Sequence, residues 1–198
     1  MREDYQPFDI GDQFTIVPPD IGARETKRHH LIMERGAFGS GEHETTRSCI
    51  ELLEQLPNLD QRKILDLGSG TGILTIAALF LNPDSSANCV DIDPIAVDSC
   101  QNNCRLNHIN QRVQHLCGTL DQIDENNYDL ILANIYGDIL LNIADDLSKK
   151  ARPGSYILLS GILWEYNFEV KKTYQDLGCT LVKSRLMDEF CTLLLKKQ

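Results

Sequence analysis

The segment ILDLGSGTG (Ile64–Gly72) passes from a short apolar run through three alternate glycines into a second apolar run, Ile73–Leu81. Lys63–Leu67, followed by the glycines, reads as a short apolar strand, and Leu74–Leu81 after it as a helix. Gly68 supplies the backbone freedom for a tight turn, and Gly70 leaves room for a ligand to touch the main chain. The dinucleotide fingerprint GxGxxG needs a third glycine where this chain has Ile73, and a phosphate-binding P-loop needs a Gly-Lys-Ser/Thr ending that is absent. A strand–glycine turn–helix unit therefore stands here, but not one of those two.

Outward from this unit the chain alternates. Before it, Thr45–Leu56 reads as a helix with Cys49, Ile50, Leu52, Leu53 and Leu56 near one face. After the Leu74–Leu81 helix come strand Asn88–Ile92, helix Pro94–Asn107 with proline in its first turn, and strands Val113–Cys117 and Tyr128–Ala133. Helix Ile139–Lys150, strand Tyr156–Ser160 and helix Trp164–Leu177, closed by Gly178, follow. The end is a hairpin, Thr180–Leu186 and Phe190–Lys196, joined by Met187-Asp188-Glu189. Alternation of this kind predicts an α/β fold of three layers, a mostly parallel seven-stranded sheet whose terminal hairpin adds an antiparallel strand at one edge. Residues 1–40 differ: two extended runs, Gln13–Val17 and His29–Glu34, separated by Pro18-Pro19, form a linker-like arm ahead of a domain over 41–198.

Composition bounds the rest. With 198 residues, 42% apolar and 24% charged, the chain is one ordinary globular domain with an arm. Its longest apolar stretch is about half a membrane span and its first residues carry no apolar secretion segment, so the expected location is the cytoplasm. A net charge of −10 repels phosphate backbones and anionic lipid, so neither membrane nor direct nucleic-acid binding is expected. Seven cysteines in an odd, signal-less count read as reduced thiols. Cys100 and Cys104 share a helix face, but spacing gives them no second pair, and no metal is expected.

The acids around the glycines point to the ligand. Asp66 at the mouth of the loop would repel a pyrophosphate and suit a cationic amino-acid portion beside a sulfonium. The second strand ends in VDIDP, which puts Asp91 roughly 20 residues past the first glycine, where a carboxylate accepts ribose hydroxyls, with Ile92 beside it. Asp93 is placed to cap the next helix instead. This combination resembles the class I S-adenosylmethionine-dependent methyltransferases, with a Rossmann-like fold. GAFGSGEHETTRSC (Gly36–Cys49), VDIDPIAV (Val90–Val97) and LILANIYGDIL (Leu130–Leu140) further resemble the ribosomal protein L-eleven methyltransferase family, as do FTIVPP (Phe14–Pro19) and RPGSYILLSGIL (Arg152–Leu163).

That resemblance implies trimethylation of amino groups, lysine side chains and an α-amine, on a ribosomal protein. It implies that Thr46, Gly68, Asp91 and Asn134 contact S-adenosylmethionine, with Asp66, Gly70 and Ile92 in the same site. Phe38 and Tyr136 are candidates to wall it. Each has an ordinary structural alternative: a helix cap for Thr46, a strand end for Asn134, core packing for the two aromatics, a plain loop for Gly41 and His43. Asn134 is the candidate catalytic residue, since its side-chain carbonyl can accept an N–H and aim an amine lone pair. The family's full-length members carry an N-terminal recognition domain that this chain lacks, so a separate recognition polypeptide is an expected complement. Methylation of a lysine on another protein, as by electron-transfer-flavoprotein methyltransferases, a small-molecule N-methyltransferase, and a non-catalytic regulatory module that binds S-adenosylmethionine remain alternatives.

Overall fold

A computed structural model describes residues 6–21, 27–34, 41–57 and 62–198. The arm contributes β1 (Phe8–Ile10), β2 (Phe14–Val17) and β3 (His29–Ile32), and α1 (Glu44–Leu53) follows. Next come β4 (Lys63–Leu67), α2 (Ile73–Leu81), β5 (Ser86–Asp91), α3 (Pro94–Leu106), β6 (Val113–Cys117) and β7 (Tyr128–Asn134). The chain ends with α4 (Gly137–Asn142), α5 (Ala144–Lys150), β8 (Ala151–Leu163), α6 (Trp164–Asp176), β9 (Cys179–Leu186) and β10 (Phe190–Lys197).

The large sheet has the order β6-β5-β4-β7-β8-β10-β9. Pairings from β6 to β8 are parallel, and β10 runs antiparallel to both β8 and β9. The antiparallel strand thus lies one place in from the edge, not at the edge itself. Composition explains the swap: residues Cys191–Leu195 of β10 are buried on both faces, whereas β9 alternates with solvent-facing residues and closes the sheet.

Side-chain alternation with period two builds the layers. Ile64, Cys89, Leu130, Leu132 and Leu158 point to the face covered by α1, α2 and α3. Leu65, Leu67, Val90, Ile131, Ala133 and Leu159 point to the face covered by α4, α5 and α6. The arm's three strands form a second sheet, β2 parallel to β3, whose Ile10, Phe14, Ile16 and Leu31 join the first of these clusters.

Three local features depart from the sequence expectations. β1 is an additional strand, paired antiparallel with β2. The helix expected over Ile139–Lys150 is two helices, because Ile143 takes φ −102 and ψ 5. β8 begins at Ala151 and crosses Pro153-Gly154 through an irregularity in its pairing with β7, between the pairs at Tyr128 and Leu130. Among the described residues no helix is long and apolar enough to cross a membrane.

Candidate functional site

β4 sends its helix toward β5, while β7 lies on its other side, so the strand order reverses between β4 and β7. At such a switch point the loops leave the carboxyl ends of the strands in opposite directions and open a crevice. Gly68–Gly72, Asp91 and Asn134 all follow or close these strand ends.

The glycine loop is built from left-handed residues: Gly68, Gly70 and Gly72 have φ of +71, +55 and +79. Only glycine adopts this region without strain. A Cβ on Gly68 would also stand 2.3 Å from Cγ2 of Ile135, so a side chain there would push the loops of β4 and β7 apart. The amides of Gly68 and Ser69 both donate to the carbonyl of Val90, at 2.8 and 3.1 Å. The Oγ of Ser69 is buried in this loop with no hydrogen-bond partner among the described residues. A native hydroxyl left so is an open hydrogen-bonding position.

Asp91 ties this loop to the end of β5. Its Oδ2 accepts from the Gly70 amide at 2.9 Å and its Oδ1 from the Asp93 amide at 3.0 Å. A carboxylate has about four acceptor positions, so two remain. Asp93 is the cap of α3, accepting from the Ile95 amide at 2.9 Å, with Pro94 at the first helical position. Beside Asp91, Ile92 is 74% exposed, an apolar side chain of the kind that covers a flat ring.

Asp66 stands elsewhere than the mouth of the loop. Alternation along β4 turns it to the α2 face, where it is 1% exposed and accepts from Thr75 Oγ1 at 2.7 Å. Burial drives its carboxyl up to about 7, against the lowering effect of the Thr75 bond. It supports the loop from behind.

Asn134 closes β7 half-buried, and its Nδ2 donates to Thr45 Oγ1 at 3.3 Å. Thr45 Oγ1 lies 2.8 Å from His43 Nδ1, and His43 is the N-cap of α1. With Nδ2 turned to Thr45, Oδ1 has no hydrogen-bond donor among the described residues. Gly161, at φ +76, lies beneath: a Cβ there would come 3.2 Å from Asn134 Oδ1 and 2.7 Å from the Ile135 carbonyl. Thr46 is 2% exposed inside α1 and is not its cap. Phe38 lies outside the described residues. Tyr136 is 63% exposed at the start of α4. Thr45 and Gly161 are the positions that sequence reasoning missed; the Thr45-Thr46 pair and the glycine after Ser160 were the only signals.

The ribosomal protein L11 methyltransferase (PrmA) family profile matches residues 1–198. The chain is 33% identical over 196 residues to a ribosomal protein L11 methyltransferase of Bacillus subtilis, covering 98% of this chain and 62% of that one. It is 40% identical over 168 residues to a Trichlorobacter lovleyi protein of the same name, covering 81% of this chain and 54% of the relative. The chain therefore spans less than two thirds of the length of these relatives. A crystal structure of a ribosomal protein L11 methylase from Lactobacillus delbrueckii superposes with a TM-score of 0.87 at 22% identity, over 99% of this chain and 100% of that one. The sheet order, the glycine loop and the match over residues 1–198 agree, and the chain belongs to the ribosomal protein L11 methyltransferase family.

Proposed function

We propose that this chain is an S-adenosylmethionine-dependent N-methyltransferase acting in the cytoplasm on amino groups of a protein, a lysine side chain or an α-amine, with a ribosomal protein as the leading substrate class. The observation that carries the reading is Asn134: its amide is anchored through Thr45, and its free carbonyl oxygen lies at the switch-point crevice beside the glycine loop.

The residues present fit the cofactor. Asp91 retains two acceptor positions for ribose hydroxyls, Ile92 offers an apolar face for adenine, and Ser69 Oγ offers an unused hydrogen bond for the amino-acid portion. The bare backbone of Gly68 and Gly70 admits the ligand close to the main chain, and Asp66 supports the loop from behind through Thr75. When bound, S-adenosylmethionine supplies an activated methyl group on a sulfonium.

The protein then has to present an amine in line with that methyl group. A lysine amine has a reference pKa near 10.4, so it must shed a proton before it can attack, and partial desolvation in the crevice favours the neutral form. Asn134 Oδ1 accepts one remaining N–H and aims the lone pair. Tyr136 forms a wall for the acceptor's aliphatic stem. Residues 1–40 serve as an arm ahead of the 41–198 domain.

Asn134→Ala tests the assignment. It should lower turnover by more than about tenfold while cofactor affinity falls much less. Equal losses of both would make Asn134 a cofactor ligand and remove the orienting role.

A further inference from the structure

The fold brings together three side chains that are scattered in sequence. β5 and β6 pair in parallel with Cys89 directly opposite His115. Both turn to the face covered by α3, which carries Cys100 and, one helical turn later, Cys104. Ligand atoms of Cys89, Cys100 and His115 all lie within 4.8 Å of one another. Cys104 is buried beside Cys100, outside that group. The Nδ1 of His115 is buried with no hydrogen-bond partner among the described residues. All seven cysteines are free thiols.

Chain spacing gives Cys100 and Cys104 no second pair, and sequence reading accordingly expects no metal. Strand register supplies that pair. Two thiol sulfurs and one imidazole around a common point are three donors of the kind that tetrahedral zinc takes, with a fourth position left to another ligand. Zinc–sulfur bonds near 2.3 Å and zinc–nitrogen bonds near 2.0 Å imply donor separations of about 3.5–3.8 Å in a tetrahedron. The three observed donors need to approach by about 1.3 Å at most to reach them. A buried imidazole beside two thiols is a donor set that such a cation would engage.

We propose that Cys89, Cys100 and His115 form a site for a soft divalent cation, zinc above all, behind the glycine loop, with Cys104 beside Cys100 as the candidate fourth donor. Loading releases the thiol protons to water and puts bonds to the metal in their place. The site touches the loop at two points. A Cβ on Gly72 would meet Cys100 Sγ at 2.5 Å, and Asn103 Nδ2 donates to the Thr71 carbonyl at 2.9 Å. Cys89 Sγ also lies 3.1 Å from Thr75 Oγ1, the donor to Asp66. A metal there pins β5, β6 and α3 together and stiffens the loop from below. The inference stands independently of the proposed reaction.

The test uses the full chain, reduced and stripped with a chelator, and titrated with Co2+ alone. One Co2+ per chain should bind with a thiolate-to-cobalt charge-transfer band and tetrahedral ligand-field bands, and zinc should displace it. Cys89→Ala and His115→Ala should each weaken binding by at least about tenfold. Cys117→Ser, at the one exposed cysteine, should leave it unchanged. Each variant's circular dichroism is taken in chelator, so that loss of fold is separated from loss of a ligand. If Cys89→Ala does not fold, His115→Ala decides alone. Octahedral bands without charge transfer, or a charge-transfer band that survives in the folded variants, would overturn the site. Neither readout involves methyl transfer, so failure of the metal site and failure of the functional reading are distinguishable.

Discussion

Replacing Asp91 by alanine removes both roles of its carboxylate at once, and the structure lets the two be separated. Two of about four acceptor positions hold the amides of Gly70 and Asp93, and the other two face the proposed ribose. Hydrogen bonds to a charged group contribute about 1.5–3 kcal/mol each. Water enters the space left by the side chain and offsets part of the loss. Cofactor binding should therefore weaken by about 2–3 kcal/mol, or roughly 30- to 150-fold. Titration calorimetry with S-adenosylmethionine reads this directly. Asp93→Ala is the control: it deletes the cap of α3, whose Oδ1 accepts from the Ile95 amide, and should cost about 1 kcal/mol of stability with affinity nearly unchanged. Affinity within twofold of the parent in folded Asp91→Ala protein would take Asp91 out of the site. Equal weakening in both variants would mean that loop geometry alone governs binding.

Other consequences concern folding and pH. Gly68→Ala forces a side chain into φ +71 and against Ile135, and should cost about 2–4 kcal/mol in chemical unfolding together with most cofactor affinity; a stable variant that binds normally would show the loop to be more plastic than described. The Asp66 carboxyl rises from 3.8 to about 7 on folding, so the folded state binds the extra proton between those values and stability falls as pH rises through that window. The difference in unfolding free energy between the parent and Asp66→Asn, measured in chelator, should shift against the parent from pH 5 to pH 8, by roughly 2.6 kcal/mol at most; a flat difference would refute the buried assignment. Phe14→Ala should cost about 3–5 kcal/mol in a single unfolding transition, because the Phe14 ring shares one cluster with Ile50 and Leu52; two separate transitions would make the arm an independent unit.

Much of this architecture was legible because local pattern and tertiary role coincide. The run Ile64–Leu67 is apolar but for Asp66, buried on both faces and central in the sheet, and the glycines after it can only be a turn. Gly178 after α6, at φ +84, closed its helix as expected. The misses have physical causes. β1 has three residues, too few for a period to register, and is held by pairing with β2. Pro153-Gly154 reads as a turn, yet β8 passes through it with a bulge. Asp66 was read from the loop that follows it, whereas the pleat of β4 decides its direction. Thr45 went unremarked beside Thr46 because helix phase, not residue type, decides which hydroxyl meets Asn134. The cysteine and histidine cluster was illegible for a related reason: its second pair comes from the register of two parallel strands, which chain spacing does not encode.

The central claim is transfer of methyl groups to amines of a protein, and one experiment addresses it most directly. Purified chain is incubated with methyl-labelled S-adenosylmethionine and an extract of source cells lacking this gene, with Asp91→Ala as the blank. Label in a single protein, stable to acid and base as N-methyl groups are, and mapped by mass spectrometry to a lysine or α-amine, is the predicted result. Label confined to small molecules, or no label from chain that binds the cofactor in calorimetry, would contradict it.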